Sequence, residues 1–159
     1  MYSSELNETN VDHVKALSFV TNLVGQAHSP MHVAPSQYAG GNNMTVWFRE
    51  DPMTIHDFWD SKMMKARIID NFGGNSSQYS RMLQQQASVY WNTSYSLNVT
   101  DWLSETAQLN CNRHIWNNVS QNANLTENYY VQMFPVMEQQ LIIGGIRLGR
   151  YLDQLAYAD

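Results

Sequence analysis

Two short spacings bring metal-capable side chains within reach of each other. His28 and His32 stand four apart in NLVGQAHSPMH (22–32), just past an apolar helical run and with Pro30 between them. His56 and Asp60 stand four apart in TIHDFWD (54–60). On a helix that spacing puts both side chains on one face, so an imidazole and a carboxylate can point at a single ion. The plainer alternative is a satisfied histidine pair, with Asp60 an ordinary helix-surface carboxylate. Beside the histidines, the positions that would complete a metal site hold the amides Asn22 and Gln26. Amides are poor zinc ligands compared with imidazole or carboxylate.

Helices must position these groups. From Asn10, a good N-cap, the apolar residues Val11, Val14, Leu17, Val20, Leu23 and Val24 recur at helical spacing, and Pro30 supplies a stop. Residues 33–53 contain Pro35, Gly40, Gly41 and Pro52 and read as a long loop with a short strand at TVWF. Thr54 and Asp57 form a capping box for a second helix through about Ile69, and FGGNSS then breaks the chain. A third helix is expected over 77–90 and a fourth over 100–119. The last segment runs from Thr126 to the end, where Pro135 either kinks or splits it. The class is all-α, a single domain over 1–159, with no internal repeat and no linker.

These elements resemble a known family. ALSFVTNLVGQAHSPMHV, then AGGN, then TIHDFWD are similar to the motifs of the S1/P1 nucleases, zinc-dependent single-strand nucleases of fungi and plants. DWLSETAQLNC and FPVMEQQLIIGGIRLGRYL continue the likeness. The resemblance implies the helical fold of the phospholipase C and single-strand nuclease type, without the family's N-terminal portion. It also implies a ligand set for one zinc, His32, His56 and Asp60. Two imidazoles and a carboxylate leave a position open for water, whose pKa such a zinc brings near 7. The family's other two zincs need an imidazole and a bridging carboxylate where this chain has Asn22 and Gln26, together with ligands from the N-terminal portion. His28 is then a structural hydrogen-bonding residue. Asn42 could line a nucleotide cleft, although Gly-Gly-Asn is equally a turn. The tryptophans are expected mostly in the core, and the glycines of GGIRLG are expected to let a helix pack closely.

Composition narrows the setting. The chain has 159 residues, 43% of them hydrophobic, and a net charge of −5. Acidity argues against a broad nucleic-acid footprint, though bound cations reverse the sign locally. There is no apolar run long enough for a membrane span and no signal-peptide core. Asn-x-Ser/Thr sequons start at Asn7, Asn43, Asn75, Asn92, Asn98, Asn118 and Asn124. Chance would give about two or three, so they suggest a secreted glycoprotein, with an Asn-rich composition as the alternative.

Cys111 is the only cysteine, hence a buried thiol or a bond to another chain. In the resembled family the matching cysteine pairs with one in the absent portion. The expectation is a degenerate nuclease-family protein with one zinc and no catalytic residue in working order. It would be partnered by another chain over an exposed core face, through Cys111, or by a second copy. The alternative is a zinc phosphodiesterase acting on single-stranded DNA and RNA, completed by a second chain.

Overall fold

The computed structural model describes residues 3–157, with side-chain environments from Asp12 onward. It is helical, as expected. The helices are α1 (Ser3–Ala27), α2 (Ile55–Asp57), α3 (Met63–Phe72), α4 (Ser76–Tyr90), α5 (Val99–Asn112) and α6 (Glu127–Ala156). A π-helical turn, Phe58–Lys62, joins α2 to α3 without a break. Local capping sets most starts. Thr54 Oγ1 accepts from the Asp57 amide at 2.9 Å, the cap half of the expected box, and donates to the Asp57 carboxylate at 2.8 Å. Asn75, Asn98 and Thr126 cap α4, α5 and α6.

Several boundaries differ from the sequence reading. The first helix begins at Ser3, not after an Asn10 cap; no Gly or Pro interrupts the residues before Asn10, so nothing local stops the helix there. The fourth helix ends at Asn112 rather than near Val119. His114 takes a left-handed φ of 54° just beyond it, and Asn118 another of 59°. Pro135 does not split α6, which runs unbroken to Ala156. Pro135 and Val131 are both exposed, so the carbonyl that loses its helical partner belongs to the solvent-facing side of α6.

The 33–53 segment holds more order than a loop. Short 3₁₀ turns broken by a kink at Ala39 and Gly40 span Ser36–Gly41, and β1 (Thr45–Phe48) pairs antiparallel with β2 (Asp51–Thr54). A third strand, β3 (Ala123–Asn124), adds in parallel to β1, with Val46 opposite Ala123. The hairpin buries Val46 and Phe48 completely against Phe58, Met63 and the α6 residues Tyr130 and Met133. A smaller cluster gathers Val24 and Ala27 of α1 around Trp102 of α5. The apolar stripe of α1 is only partly used: Val24 is buried and Val20 half-buried, whereas Val14, Leu17 and Leu23 are 64%, 48% and 59% exposed. Among the described residues nothing packs over that stripe's outer half.

Candidate metal centre

His32 sits in the turn that follows α1, and buried neighbours fix that turn. Met31 is buried beside it. Asn110, buried on α5, donates through Nδ2 to the Pro30 and Val33 carbonyls at 3.2 and 3.4 Å, and accepts from Trp116 Nε1 at 2.8 Å. A buried amide satisfied on both sides holds one geometry. It therefore clamps the turn on both sides of His32. The sequence reading assigned Asn110 no part; a lone Asn late in a helix carries no local signal of this long-range role.

His56 comes from α2 and Asp60 from the π-helical turn. The two lie in contact, with His56 Nε2 3.0 Å from Asp60 Oδ2. His32 Nε2 is 3.8 Å from the same oxygen. One ligand atom from each of the three residues lies within 4.8 Å of the others. Zinc bonds of 2.0–2.2 Å in a tetrahedron set ligands about 3.3–3.6 Å apart, which the two measured separations bracket. The set fits one such ion after small side-chain adjustment. His56 Nδ1 donates to the Gly40 carbonyl at 2.8 Å, which leaves Nε2 with its lone pair toward Asp60 and His32.

The AGGN stretch thus supplies this supporting carbonyl. Ala39, Gly40 and Gly41 all take positive φ, at 46°, 65° and 80°. A Cβ on Gly41 would lie 2.5 Å from Ile55 Cγ2. Asn42 is exposed, bonds the Ala39 carbonyl at 3.4 Å, and is not among the residues lining the cleft.

His32 and Asp60 open onto a cleft of about 480 Å³, and Asn22 and Gln26 line the same cleft. Gln26 Nε2 donates to Asn22 Oδ1 at 2.5 Å, so the two amides bond each other one turn apart on α1. His28 also borders this cleft but is only 3% exposed and fully engaged. Its Nδ1 donates to the Val24 carbonyl at 2.7 Å, and its Nε2 accepts from Arg147 Nη1 at 3.0 Å. Burial, then the Arg147 charge, push its pKa below the usual histidine range, against the opposing Val24 bond and Glu105. Arg147 is itself buried and bonds Glu105 at 2.5 Å. Gly144 of α6 lets this ring in: a Cβ there would meet the His28 ring at 3.2 Å. The close packing expected of GGIRLG has this partner.

Cys111 is exposed, which corrects the buried-thiol reading and leaves its sulfur accessible. Of the tryptophans, Trp59 and Trp102 are core, Trp116 is half-buried, and Trp47 and Trp91 are 39% and 43% exposed. Asn43, Asn75, Asn92, Asn98, Asn118 and Asn124 are all exposed, while the Asn7 side chain lies outside those described. No described helix is long and apolar enough to cross a membrane.

Comparison with known proteins agrees with this layout. Endonuclease 4 of Arabidopsis thaliana is 27% identical over 168 residues, covering 98% of this chain and 56% of that protein. Nuclease S1 of Aspergillus oryzae is 24% identical over 158 residues, covering 90% and 55%. Nuclease P1 of Penicillium citrinum is 24% identical over 168 residues, covering 96% and 62%. The chain therefore spans little more than half the length of these relatives. A family model described as S1/P1 Nuclease matches residues 1–157, nearly the whole chain. By that match, and by a helical fold that brings His32, His56 and Asp60 together, this chain belongs to the S1/P1 nuclease family.

Proposed function

We propose that this chain is a degenerate, secreted and glycosylated member of the family, which holds one zinc and does not hydrolyse nucleic acid. Its role would be structural or interactive within an extracellular assembly. The observation that carries the reading is the Asn22–Gln26 hydrogen bond in the cleft that His32 and Asp60 also line. Two dications about 3.5–4 Å apart need an anionic ligand between them. A neutral amide pair, bonded to itself, offers no such charge.

His32, His56 and Asp60 would hold the zinc, which supplies a Lewis acid and an acidified water. Gly40 keeps the His56 tautomer correct for this. Asp60 contributes the only anionic group of the three ligands, and Asn110 steadies the His32 turn. The exposed sequon asparagines support glycosylation and a secretory route. The exposed half of the α1 stripe and the accessible Cys111 support a partner, either another chain or a second copy.

The second reading is a zinc-dependent endonuclease on single-stranded DNA and RNA, completed by another chain. The preassembled ligand triad favours it. Cleavage of single-stranded DNA in excess zinc decides between them, with metal content measured on the same sample. One equivalent of zinc and no cleavage is the expected result. Robust cleavage, by the chain alone or with its partner, would overturn the degenerate reading. Intact mass without reductant, before and after deglycosylation, counts glycans and reveals any chain held through Cys111.

A further inference from the structure

Two of the seven sequons follow an aromatic residue by two positions, Tyr90-Trp91-Asn92 and Trp116-Asn117-Asn118. Each asparagine stands third in a tight turn. The Thr93 amide donates to the Tyr90 carbonyl at 2.9 Å, and the Val119 amide to the Trp116 carbonyl at 3.2 Å. The local pattern is the same, but the tertiary surroundings are not. Trp116 is half-buried, stacks on Tyr38 with ring centroids 4.0 Å apart, and donates to Asn110 through Nε1. Val89, Tyr90 and Trp91 are instead 77%, 48% and 43% exposed, three large apolar side chains in a row. The Trp91 indole packs on α6, where a Cβ on Gly149 would lie 3.3 Å from its Cη2. The Arg150 guanidinium stands 5.6 Å from a Trp91 ring centroid and donates to the Trp91 carbonyl.

We propose that the first sugars of an N-linked glycan on Asn92 lie against Tyr90 and Trp91 and stabilise the fold, whereas a glycan on Asn118 does not. Two residues of chain span at most about 7 Å, so the attachment point keeps the sugar beside both rings. A pyranose ring presents a face of weakly positive C–H groups, which complements the negative face of an aromatic ring and takes apolar surface out of water. A separate protein chain would lose translational and rotational freedom on binding so small a face; a tethered sugar does not. On Asn118 the sugar meets an indole already stacked on Tyr38. The proposal rests on the secreted-glycoprotein reading.

The test uses the full chain secreted from a eukaryotic host, with the occupancy of each sequon read by glycopeptide mass spectrometry. Ser94→Ala and Ser120→Ala each remove one sequon and keep its asparagine, and both serines are exposed. Asn92 should carry sugar, and Ser94→Ala should lower the melting temperature by about 2–4 °C. Ser120→Ala should leave it unchanged. In a Tyr90→Ala/Trp91→Ala background the loss on Ser94→Ala should vanish, which isolates the sugar–ring term. If that background fails to fold, Tyr90→Ala alone should reduce the loss. An unchanged melting temperature in Ser94→Ala, whether the face stays bare or a second chain covers it, would overturn the proposal. So would a loss that persists in full without the aromatic side chains, an equal loss in Ser120→Ala, or an empty Asn92. An empty Asn92 beside other occupied sequons would leave the glycoprotein reading standing, while no sugar at any sequon would remove both.

Discussion

The Gly40 carbonyl lies 2.8 Å from His56 Nδ1, and it is held there by three consecutive left-handed residues that end in Gly41. Partners of this kind orient metal-ligating histidines, and their loss weakens metal binding about 10–100-fold. Gly41→Ala would drive its Cβ into Ile55 Cγ2 and shift the loop. Zinc affinity, measured by competition with a chelating dye, should fall by about that factor, while His56→Ala should lose zinc altogether. Unchanged zinc affinity in both variants would show that the triad is not a metal site.

The glycines of α6 should part company on substitution. Nothing lies within 4 Å of a Cβ on Gly145, so Gly145→Ala should gain about 0.5–1 kcal/mol of helix propensity. Gly144→Ala should lose stability, because its Cβ meets a His28 ring pinned by hydrogen bonds at both nitrogens. Thermal denaturation resolves the two, at about 2–4 °C per kcal/mol for a chain of this size.

The β1–β2 connection is a two-residue turn, Arg49–Glu50, with φ of 51° and 70°. Such turns favour Asn-Gly, and a left-handed non-glycine residue costs about 1–2 kcal/mol. Glu50→Gly should therefore raise the urea midpoint, corresponding to roughly 1 kcal/mol. Arg49→Gly should not, since the Arg49 guanidinium joins Asp70 at 2.7 Å and Glu127 at 2.7 Å across three elements. Those bonds also hold the Asp70 and Glu127 carboxyls below their usual range.

Acid should loosen the α1–α6 contact. His28 has its pKa lowered in the folded state, so below about 6.5 the unfolded chain takes up a proton that the folded chain refuses. The contribution is full above that value and falls as the pH drops through it toward the lower folded pKa. Zinc-free protein should lose urea stability between about pH 7 and 5. A His28→Gln variant should show a shallower slope over the same range. Identical slopes would place the acid sensitivity elsewhere.

Much of the candidate site was legible because its signals are local. The His56–Asp60 spacing needs only a helix to bring the two together, and the Thr54 cap starts that helix as expected. His32 required the family resemblance, since no periodicity links it to residues more than twenty positions away. The Gly40 carbonyl and the Asn110 clamp left no trace in the sequence reading, because backbone direction and long-range amide contacts are set by packing. Helix ends were missed for the same reason: one left-handed residue at His114 ends α5, and solvent at Pro135 lets α6 continue.

By itself the sequence determined the helical class, the Thr54 cap, the His56–Asp60 spacing and the neutral character of positions 22 and 26. Those properties follow from residue chemistry and short-range spacing. Only the tertiary structure decided that Gln26 bonds Asn22 within the cleft that His32 and Asp60 share, that His28 is spent on Arg147, and that Cys111 faces solvent. The amide bond itself is local to α1, but its place in a shared cleft, the His28–Arg147 contact and the exposure of Cys111 depend on how distant segments pack together.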